Sequence, residues 1–330
     1  MSRLLVTGGL GFMGSDFVWY LVENHPGDEV VVFDALSYSG RRENLEGIGG
    51  KVTTLVRDLR DRKAIDEALE GVDAVFHFGA ETHINRSIAD PKPFIESNVV
   101  GTFNLLEAAR KMDTERLIFI SSSEVYGTAM TVPMDESHPL NCQSPYAATK
   151  VAGDRLCFSY YQTYGMPILI LRPFNNFGPR QFPEKLIPFF ILRALHDQFL
   201  PVYGDGQYSR DYTYVFDFCE AVDRAGKVDK KGEVINVATG KDEKVIDIAH
   251  MILDHIGKPS DLIRHVEDRP GHVRRLVGSY EKAKRILGWE PATPFEEGLK
   301  KTVDWYLHNE AWWKPLSDQF MKVALPWKKS

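Results

Sequence analysis

Cysteine is scarce in this chain: three in 330 residues, Cys142, Cys157 and Cys219. Their spacing fits neither a zinc site nor a disulfide framework, so they read as small buried hydrophobes in a reduced, cytoplasmic protein with no metal. Long apolar runs are also missing. None approaches the roughly 20 residues that span a bilayer, and no basic segment precedes the strand pattern Leu4-Leu5-Val6, so neither membrane association nor a signal peptide is expected. Positive charge is not in excess. A formal net charge of −6 disfavours a nucleic-acid reader. It leaves room for an anionic small substrate, because a few local arginines outweigh a weak overall field. Internal repeats, low-complexity segments and flexible linkers are absent. The tail Trp312–Ser330, with Trp313, Phe320 and Trp327 among lysines, reads as a packed or frayed terminus.

What is present is an ordinary soluble composition, 43% hydrophobic and 26% charged. Short β-rich runs at Arg3–Thr7, Glu29–Phe33, Val52–Arg57, Ala74–Phe78, Leu117–Ser121 and Ile168–Arg172 alternate with longer segments. Those at Met13–Asn24, Arg62–Ala68, Phe94–Lys111 and Pro145–Thr163 carry a helical pattern. Continuous apolar strands separated by helices predict an α/β fold, a doubly wound parallel sheet covered on both faces. After Arg172 the pattern turns irregular around one helix near Leu186–Leu195. A strand-like run at Glu233–Val237 follows, then helices at Val245–Ile256, Tyr280–Leu287 and Phe295–His308. The expected division is a dinucleotide domain of residues 1–174 with a returning segment near 208–239. Residues 175–207 and 240–330 would form a smaller substrate domain over the sheet's C-terminal edge, where such sheets bind ligands.

Gly8, Gly11 and Gly14 follow the first strand and open the first helix. In that setting Gly8 permits a tight turn, Gly11 lets backbone approach a pyrophosphate, and Gly14 lets helix pack on strand. The helix N-terminus offers free N–H groups to the phosphates. Asp34 ends the next strand, about twenty residues on, placed to accept both ribose hydroxyls. That acid disfavours a 2′-phosphate and predicts NAD, although Arg41 and Arg42 lie close enough to face one. Asp58, after the third strand, is placed either to meet the adenine or to serve as a loop acid or helix cap.

Tyr146 follows Ser144-Pro145, a helix-start signal, and Lys150 lies four residues on, so both share one helix face. A free tyrosine has a pKa of about 10. A neighbouring lysine and a positive nicotinamide lower it toward neutrality, making Tyr146 a base for a sugar hydroxyl. Ser122, at the end of a predicted strand, can hydrogen-bond that hydroxyl. Glu124 adds a second base. A sugar C5 proton becomes acidic once C4 is a ketone, so an acid beside the oxidising pair points to elimination and a transient use of the dinucleotide. Asn175, Lys185, Arg210, Asn236, Arg269 and Arg275 form a cluster suited to a nucleoside diphosphate.

These motifs resemble the extended short-chain dehydrogenase/reductases of the nucleotide-sugar epimerase/dehydratase superfamily, over essentially the whole chain. The nearest resemblance is to the dTDP-glucose 4,6-dehydratases. It is carried by Gly79-Ala80-Glu81-Thr82-His83-Ile84-Asn85-Arg86-Ser87, Ser123-Glu124-Val125-Tyr126-Gly127 and Asn175-Asn176-Phe177-Gly178-Pro179. Phe182-Pro183-Glu184-Lys185-Leu186-Ile187-Pro188, Arg210-Asp211-Tyr212 and Asp268-Arg269-Pro270-Gly271-His272 add to it. The resemblance implies a Rossmann fold, NAD held by Gly8, Gly11, Phe12, Met13, Gly14, Asp34, Ser37, Ser39, Gly40, Asp58, Leu59, Phe78, Ala80, Asn98, Tyr146 and Lys150, and a nucleotide-diphosphate sugar as substrate. His83 and Asn85 would hold the hexose. Asn175, Lys185, Leu186, Arg210, Asn236, Arg269 and His272 would line the nucleotide and diphosphate, with Tyr203 stacked on the base. A homodimer would form through the helices near Phe94–Lys111 and Pro145–Thr163.

One position departs from the pattern. The resembled family has Thr-Asp-Glu where this chain has Ser122-Ser123-Glu124, and its aspartate protonates the departing C6 hydroxyl. Serine at that point is similar to GDP-mannose and UDP-N-acetylglucosamine 4,6-dehydratases, and to UDP-glucuronate decarboxylases. The expected reaction is a 4,6-dehydration in which Tyr146, with Ser122 and Lys150, takes the 4-hydroxyl proton and Glu124 takes the C5 proton. The C6 leaving group is protonated by Glu124 itself or through a water on Ser123. Decarboxylation would need an arginine facing the hexose, for which Arg86 is the clear candidate. The 4-epimerases generally lack an acid at the Glu124 position. A non-catalytic NAD sensor is disfavoured by the intact Ser122, Glu124, Tyr146 and Lys150.

Overall fold

The computed structural model describes residues 1–268 and 274–317. Its centre is a seven-stranded, wholly parallel sheet. Six strands come from the chain's first 173 residues: β1 Arg3–Thr7, β2 Glu29–Asp34, β3 Thr53–Val56, β4 Ala74–His77, β5 Arg116–Ile120 and β6 Ile168–Pro173. The seventh, Val234–Val237, pairs with β6, and the spatial order is Val234–Val237, β6, β5, β4, β1, β2, β3. The central strands are mostly apolar on both sides because both faces are covered. Leu4, Val6, Val30, Val32, Ile118, Ile120 and Leu169 face one core. Leu5, Val31, Phe33, Leu117, Phe119 and Ile168 face the other. Each such side chain, once buried, contributes about 1.5–3 kcal/mol.

Sequence patterning located these strands to within a residue or two, and the helices at Arg62–Ala68, Leu186–Leu195, Val245–Ile256 and Phe295–His308 to the residue. Three features differ from expectation. Residues 94–111 are not one uniform helix: a π-helical stretch at Ile95–Gly101 leads into the α-helix Thr102–Lys111. A short helix, Ile84–Ala89, follows the His83 segment. Val215–Lys227 is a full helix that patterning passed over. It follows directly on the strand Tyr212–Tyr214, and no side chain caps its start. Burial of Val215, Phe218, Cys219, Val222 and Ala225 follows a helical period, and this face joins the core beneath the Phe12–Asn24 helix.

After β6 the chain leaves the sheet. The Leu186–Leu195, Val245–Ile256 and Phe295–His308 helices build a separate core with Phe177, Tyr212, Tyr214, Trp312 and Trp313. Small pairings frame its cleft side: Asn175–Phe177 with Tyr212–Tyr214, and Ser209–Arg210 with Arg275–Leu276. No helix among the described residues is long and apolar enough to cross a membrane.

At the end of β4, His77 is buried between two threonines. Thr102 Oγ1 donates to the Asn98 carbonyl (2.7 Å), so it accepts from His77 Nε2 at 3.0 Å. His77 Nδ1 then accepts from Thr7 Oγ1 at 2.7 Å, and the imidazole is neutral with both nitrogens paired. Burial pushes its pKa down to about 3, and Lys150 adds to the effect. An unfolded histidine titrates near 6.5, so between about pH 6.5 and 3 the unfolded chain binds the extra proton. Stability contributed by neutral His77 is therefore full above about pH 6.5 and falls by about 1.4 kcal/mol per pH unit below it. We expect a His77→Gln variant, though less stable at neutral pH, to show a flatter acid limb in urea titrations. Equal limbs in the two proteins would contradict this.

Candidate active site

The C-terminal ends of the strands open into a cavity of about 520 Å³. It runs from Gly8 and Asp34 on one side, past Tyr146, to Lys185 and Arg210 on the other. All five expected catalytic residues line it: Ser122, Ser123, Glu124, Tyr146 and Lys150. So do Gly11, Phe12, Met13, Gly14, Ser37, Ser39, Gly40, Asp58, Leu59, Phe78 and Ala80 on the dinucleotide side, and His83, Asn85, Asn175 and Leu186 on the other.

The glycine turn is shaped by contacts that exclude a side chain. Gly8 has φ +69°, and a Cβ there would sit 2.7 Å from the Gly79 nitrogen. A Cβ on Gly14 would lie 2.2 Å from the Gly8 carbonyl oxygen. Gly11 differs: a Cβ there would meet only the Gly8 oxygen, at 3.4 Å, so its open side is the cavity. Gly11 starts the Phe12–Asn24 helix with no side-chain cap and no acid in the first turn, leaving the N–H groups to an anionic ligand. Asp34 closes this end. Its carboxylate accepts from the Leu10 nitrogen (2.9 Å) and the Leu36 nitrogen (2.8 Å). Burial raises its pKa, and these backbone donors oppose the rise. The residues therefore fit an adenosine dinucleotide. Arg41 does not face a 2′-phosphate position: its guanidinium donates to the Trp312 carbonyl (3.0 Å) and lies over the Trp312 ring. Asp58 is held by Arg60, whose guanidinium reaches it at 2.7 Å, and the cap of the next helix is Asp61.

Sequence reasoning missed Asn44, which is buried behind the turn. Its amide nitrogen donates to the Leu10 carbonyl (2.8 Å), and its oxygen accepts from Trp312 Nε1 (2.9 Å). The C-terminal helix thus supports the glycine turn across 268 residues, a relation with no local signal.

Ser144 caps the Pro145–Tyr164 helix by accepting from Ala147 N at 3.1 Å, and Pro145 fills the first position. One turn in, Tyr146 and Lys150 face the cavity. Lys150 Nζ donates to the Ile120 carbonyl at 2.7 Å, and burial lowers its pKa to about 8. Burial pushes the Tyr146 phenol up to about 12; its hydrogen bond with Ser122 works against this and the Glu124 charge adds to it. Ser122 and Glu124 sit on the tight turn after β5, where Glu124 N donates to Ser122 Oγ at 3.2 Å. A buried ion pair fixes this floor. Arg172 grips Asp154 at 2.9 and 3.0 Å, and Ser121, next to Ser122, donates to the same carboxylate at 2.8 Å.

Several expectations need correction. Asn98 does not line the cavity: its amide is consumed by the Glu81 nitrogen (2.7 Å), the Glu81 carbonyl (3.0 Å) and Thr149 (2.9 Å). It joins the His83 segment to the Tyr146 helix. Asn236 is fully buried away from the cavity, bonded to the Tyr126 hydroxyl (2.6 Å) and the Met134 carbonyl (3.1 Å). Tyr203 lies on the strand Leu200–Tyr203 and is not among the cavity's lining residues. Arg275 is forked onto Asp242 at 2.8 and 2.9 Å at the surface. Arg86 turns from the hexose side and stacks 3.6 Å over the Tyr38 ring. Arg269 and His272, like Phe320 and Trp327, lie outside the described residues. Glu81, Thr82, Asn176, Phe182, Glu184 and Tyr212, which entered the sequence reading only as parts of motifs with no site role, line the cavity, and so does Gln181. Among the described residues no group of His, Cys, Asp and Glu side chains is arranged to hold a metal ion.

A Tyr–Lys helix face set against a dinucleotide cradle, with a serine at the end of the neighbouring strand, is the arrangement of the extended short-chain dehydrogenases/reductases. Within that class the chain belongs to the GDP-mannose 4,6 dehydratase family, which matches residues 5–302. It is 44% identical over 309 residues to the low-salt glycan biosynthesis protein Agl12 of Haloferax volcanii, covering 93% of this chain and 99% of that protein. It is 40% identical over 320 residues to the dTDP-glucose 4,6-dehydratase of Streptomyces niveus, covering 95% of each. Among solved structures, DesIV, the dTDP-glucose 4,6-dehydratase of Streptomyces venezuelae with NAD and TYD bound, superposes with a TM-score of 0.91 at 40% identity. That match covers 95% of this chain and 99% of the other. The UDP-glucose 4-epimerase of Thermotoga maritima with UDP-glucose has a TM-score of 0.88 at 32% identity, covering 93% and 99%.

Proposed function

We propose that the protein is an NAD-dependent nucleotide-sugar 4,6-dehydratase acting on dTDP-glucose or a close analogue. The observation that carries this is the placement of Glu124 beside Tyr146 on one cavity wall, within electrostatic reach of the phenol. An epimerase needs the tyrosine alone; elimination needs the second base. NAD bound against Gly11 and Asp34 supplies the hydride acceptor for C4 and the donor for C6. Tyr146 takes the proton of the 4-hydroxyl, with Ser122 sharing its hydrogen bond. Glu124 removes the C5 proton, and the C6 oxygen leaves as water. Lys185 and Arg210 hold the diphosphate, and His83 and Asn85 face the hexose. The displacement of Arg86 onto Tyr38 removes the candidate that a decarboxylase would use for a C6 carboxylate.

The division into a dinucleotide domain of residues 1–174 with 208–239, and a substrate domain from the remainder, belongs to this reading. So does a cytoplasmic homodimer. Ile88, on the short helix Ile84–Ala89, and Ile95, Val100 and Phe103, on the Ile95–Lys111 stretch, are exposed on elements that pack against the Pro145–Tyr164 helix. A second copy would cover that apolar face.

The test is mass spectrometry of reactions with dTDP-glucose, UDP-glucose, UDP-N-acetylglucosamine, GDP-mannose and UDP-glucuronate in deuterated water. We expect dTDP-glucose to lose water and gain one deuterium at C5. Loss of carbon dioxide from UDP-glucuronate, or a C4 epimer without mass change, would refute the dehydratase assignment. The same preparation should sediment at twice the 37.5 kDa chain mass.

A further inference from the structure

A redox-neutral dehydration places an unusual demand on the protein. The dinucleotide reduced at C4 must be the one that returns hydride to C6, so it has to stay bound throughout. Tyr38 meets that demand without touching the reacting atoms. It lies in the loop after Asp34, whose neighbours Ser37, Ser39 and Gly40 line the dinucleotide side of the cavity. Its hydroxyl donates to Glu184 Oε1 at 2.8 Å, a partner 146 residues away. Glu184 lines the opposite side with Phe182 and Lys185. The same hydroxyl lies 3.3 Å from Thr82 Oγ1.

The bridge is reinforced on both sides of the bond. The Tyr38 ring meets Phe182 edge-on at 5.8 Å and carries the Arg86 guanidinium at 3.6 Å on its face. Lys185 Nζ reaches the Thr82 carbonyl at 3.4 Å and Glu184 Oε1 at 3.4 Å. His83 Nδ1 lies 3.6 Å from Glu184 Oε2. The Glu184 side chain is only 9% exposed, so its bond to Tyr38 is sheltered from competing water. Burial and the Glu184 charge both raise the Tyr38 pKa, which keeps the phenol protonated as the donor.

We propose that Tyr38 and Glu184 form a latch across the cleft that sets the rate at which NAD enters and leaves. This rests on the dinucleotide reading of the cavity but not on the identity of the sugar. The bond joins protein to protein, so it is broken only when the cleft opens. Removing it lowers the barrier to opening and speeds entry and exit together. A residue that bound NAD directly would change exit alone.

The experiment loads the full-length protein with NAD, removes free cofactor, and follows exchange against fluorescent etheno-NAD. Tyr38→Phe deletes the hydroxyl and keeps the ring; Glu184→Gln weakens the acceptor and keeps its shape. In both we expect NAD release about tenfold faster, the scale of a lost charge-assisted hydrogen bond. Binding rate should rise in parallel, with the dissociation constant within threefold and the melting curve of the NAD-loaded protein lowered by no more than a few degrees. The double variant should be no faster than either single one. Unchanged release in two folded variants would overturn the latch alone. So would a slowed or unchanged binding rate with weakened affinity, which would make Tyr38 a direct ligand. Failure of the parent protein to bind NAD would overturn the dinucleotide reading and the latch with it.

Discussion

Tyr146→Phe is expected to cut turnover by roughly a thousandfold while leaving NAD binding within a few-fold of the parent. The change deletes one oxygen. The ring stays packed against Phe94, and the helix keeps its Ser144 cap and its link from the Tyr146 nitrogen to Ser87 Oγ at 3.1 Å. What is lost is the phenol that hydrogen-bonds Ser122. As it stands, burial pushes that phenol up to about 12. To act as a base near pH 7 it must come down by about five units, or about 7 kcal/mol. Ser122 already lowers it by hydrogen bonding. Lys150 and the positive ring of the bound cofactor must supply the rest. Lys150 is suited to this because its stem is buried and its ammonium is anchored on the Ile120 carbonyl.

That dependence fixes the sign of the pH profile. Burial lowers Lys150 to about 8, so it is charged below that pH and neutral above it. The support it gives to phenolate is therefore present below about pH 8 and lost as pH rises through that value. We expect kcat/KM to fall on the alkaline side with a midpoint near 8. In Lys150→Met the residual rate should have no such limb. Substrate-dependent absorbance at 340 nm should be missing from Tyr146→Phe. Its presence there would mean that another group takes the 4-hydroxyl proton.

Much of this site could be read from the chain because its parts are local. The glycine turn, the acid ending β2, the serine and acid after β5 and the Tyr–x–x–x–Lys face each lie within one turn or strand end. The parallel sheet then delivers them to the same edge. What could not be read is what depends on partners far along the chain. Asn236 and Asn98 are polar residues in apolar surroundings, the pattern of a ligand site, yet both spend their amides on the protein itself. Arg275 and Arg86 are cations of the right kind that Asp242 and the Tyr38 ring take up. Tyr38–Glu184 and Asn44–Trp312 join positions 146 and 268 residues apart, and no spacing announces such pairs. The helix Val215–Lys227 was hidden for a different reason. Its buried positions Val215, Phe218, Cys219, Val222 and Ala225 carry the helical period, but it follows at once on the strand Tyr212–Tyr214 with no capping side chain to mark its start.

Glu124→Gln should separate the two halves of the reaction. The amide keeps the volume of the acid on the turn after β5 and cannot take a proton. Of the protein's own side chains, oxidation at C4 by the bound NAD needs only Tyr146, Ser122 and Lys150, so the substrate should still produce 340 nm absorbance, and that absorbance should persist. Water loss should fall by roughly a hundredfold to ten-thousandfold, the usual range for a lost general base. Deuterium should no longer enter C5. Ser123 then decides how the C6 oxygen is protonated. Its side chain is buried beside Glu124, and a serine hydroxyl is far too weak an acid to donate the proton itself. If Glu124 hands the C5 proton on to the leaving oxygen, Ser123→Ala should cost less than about threefold and leave the pH profile unchanged. If a water on Ser123 carries the proton, Ser123→Ala should slow elimination about tenfold or more, with oxidation at C4 untouched. The turn favours the first outcome. Glu124 and Tyr146 share one cavity wall, so a carboxyl that has just taken a proton at C5 faces the same sugar whose C6 oxygen needs it. A serine in place of the second acid is then compatible with full dehydration, because one carboxyl serves as base and acid in turn.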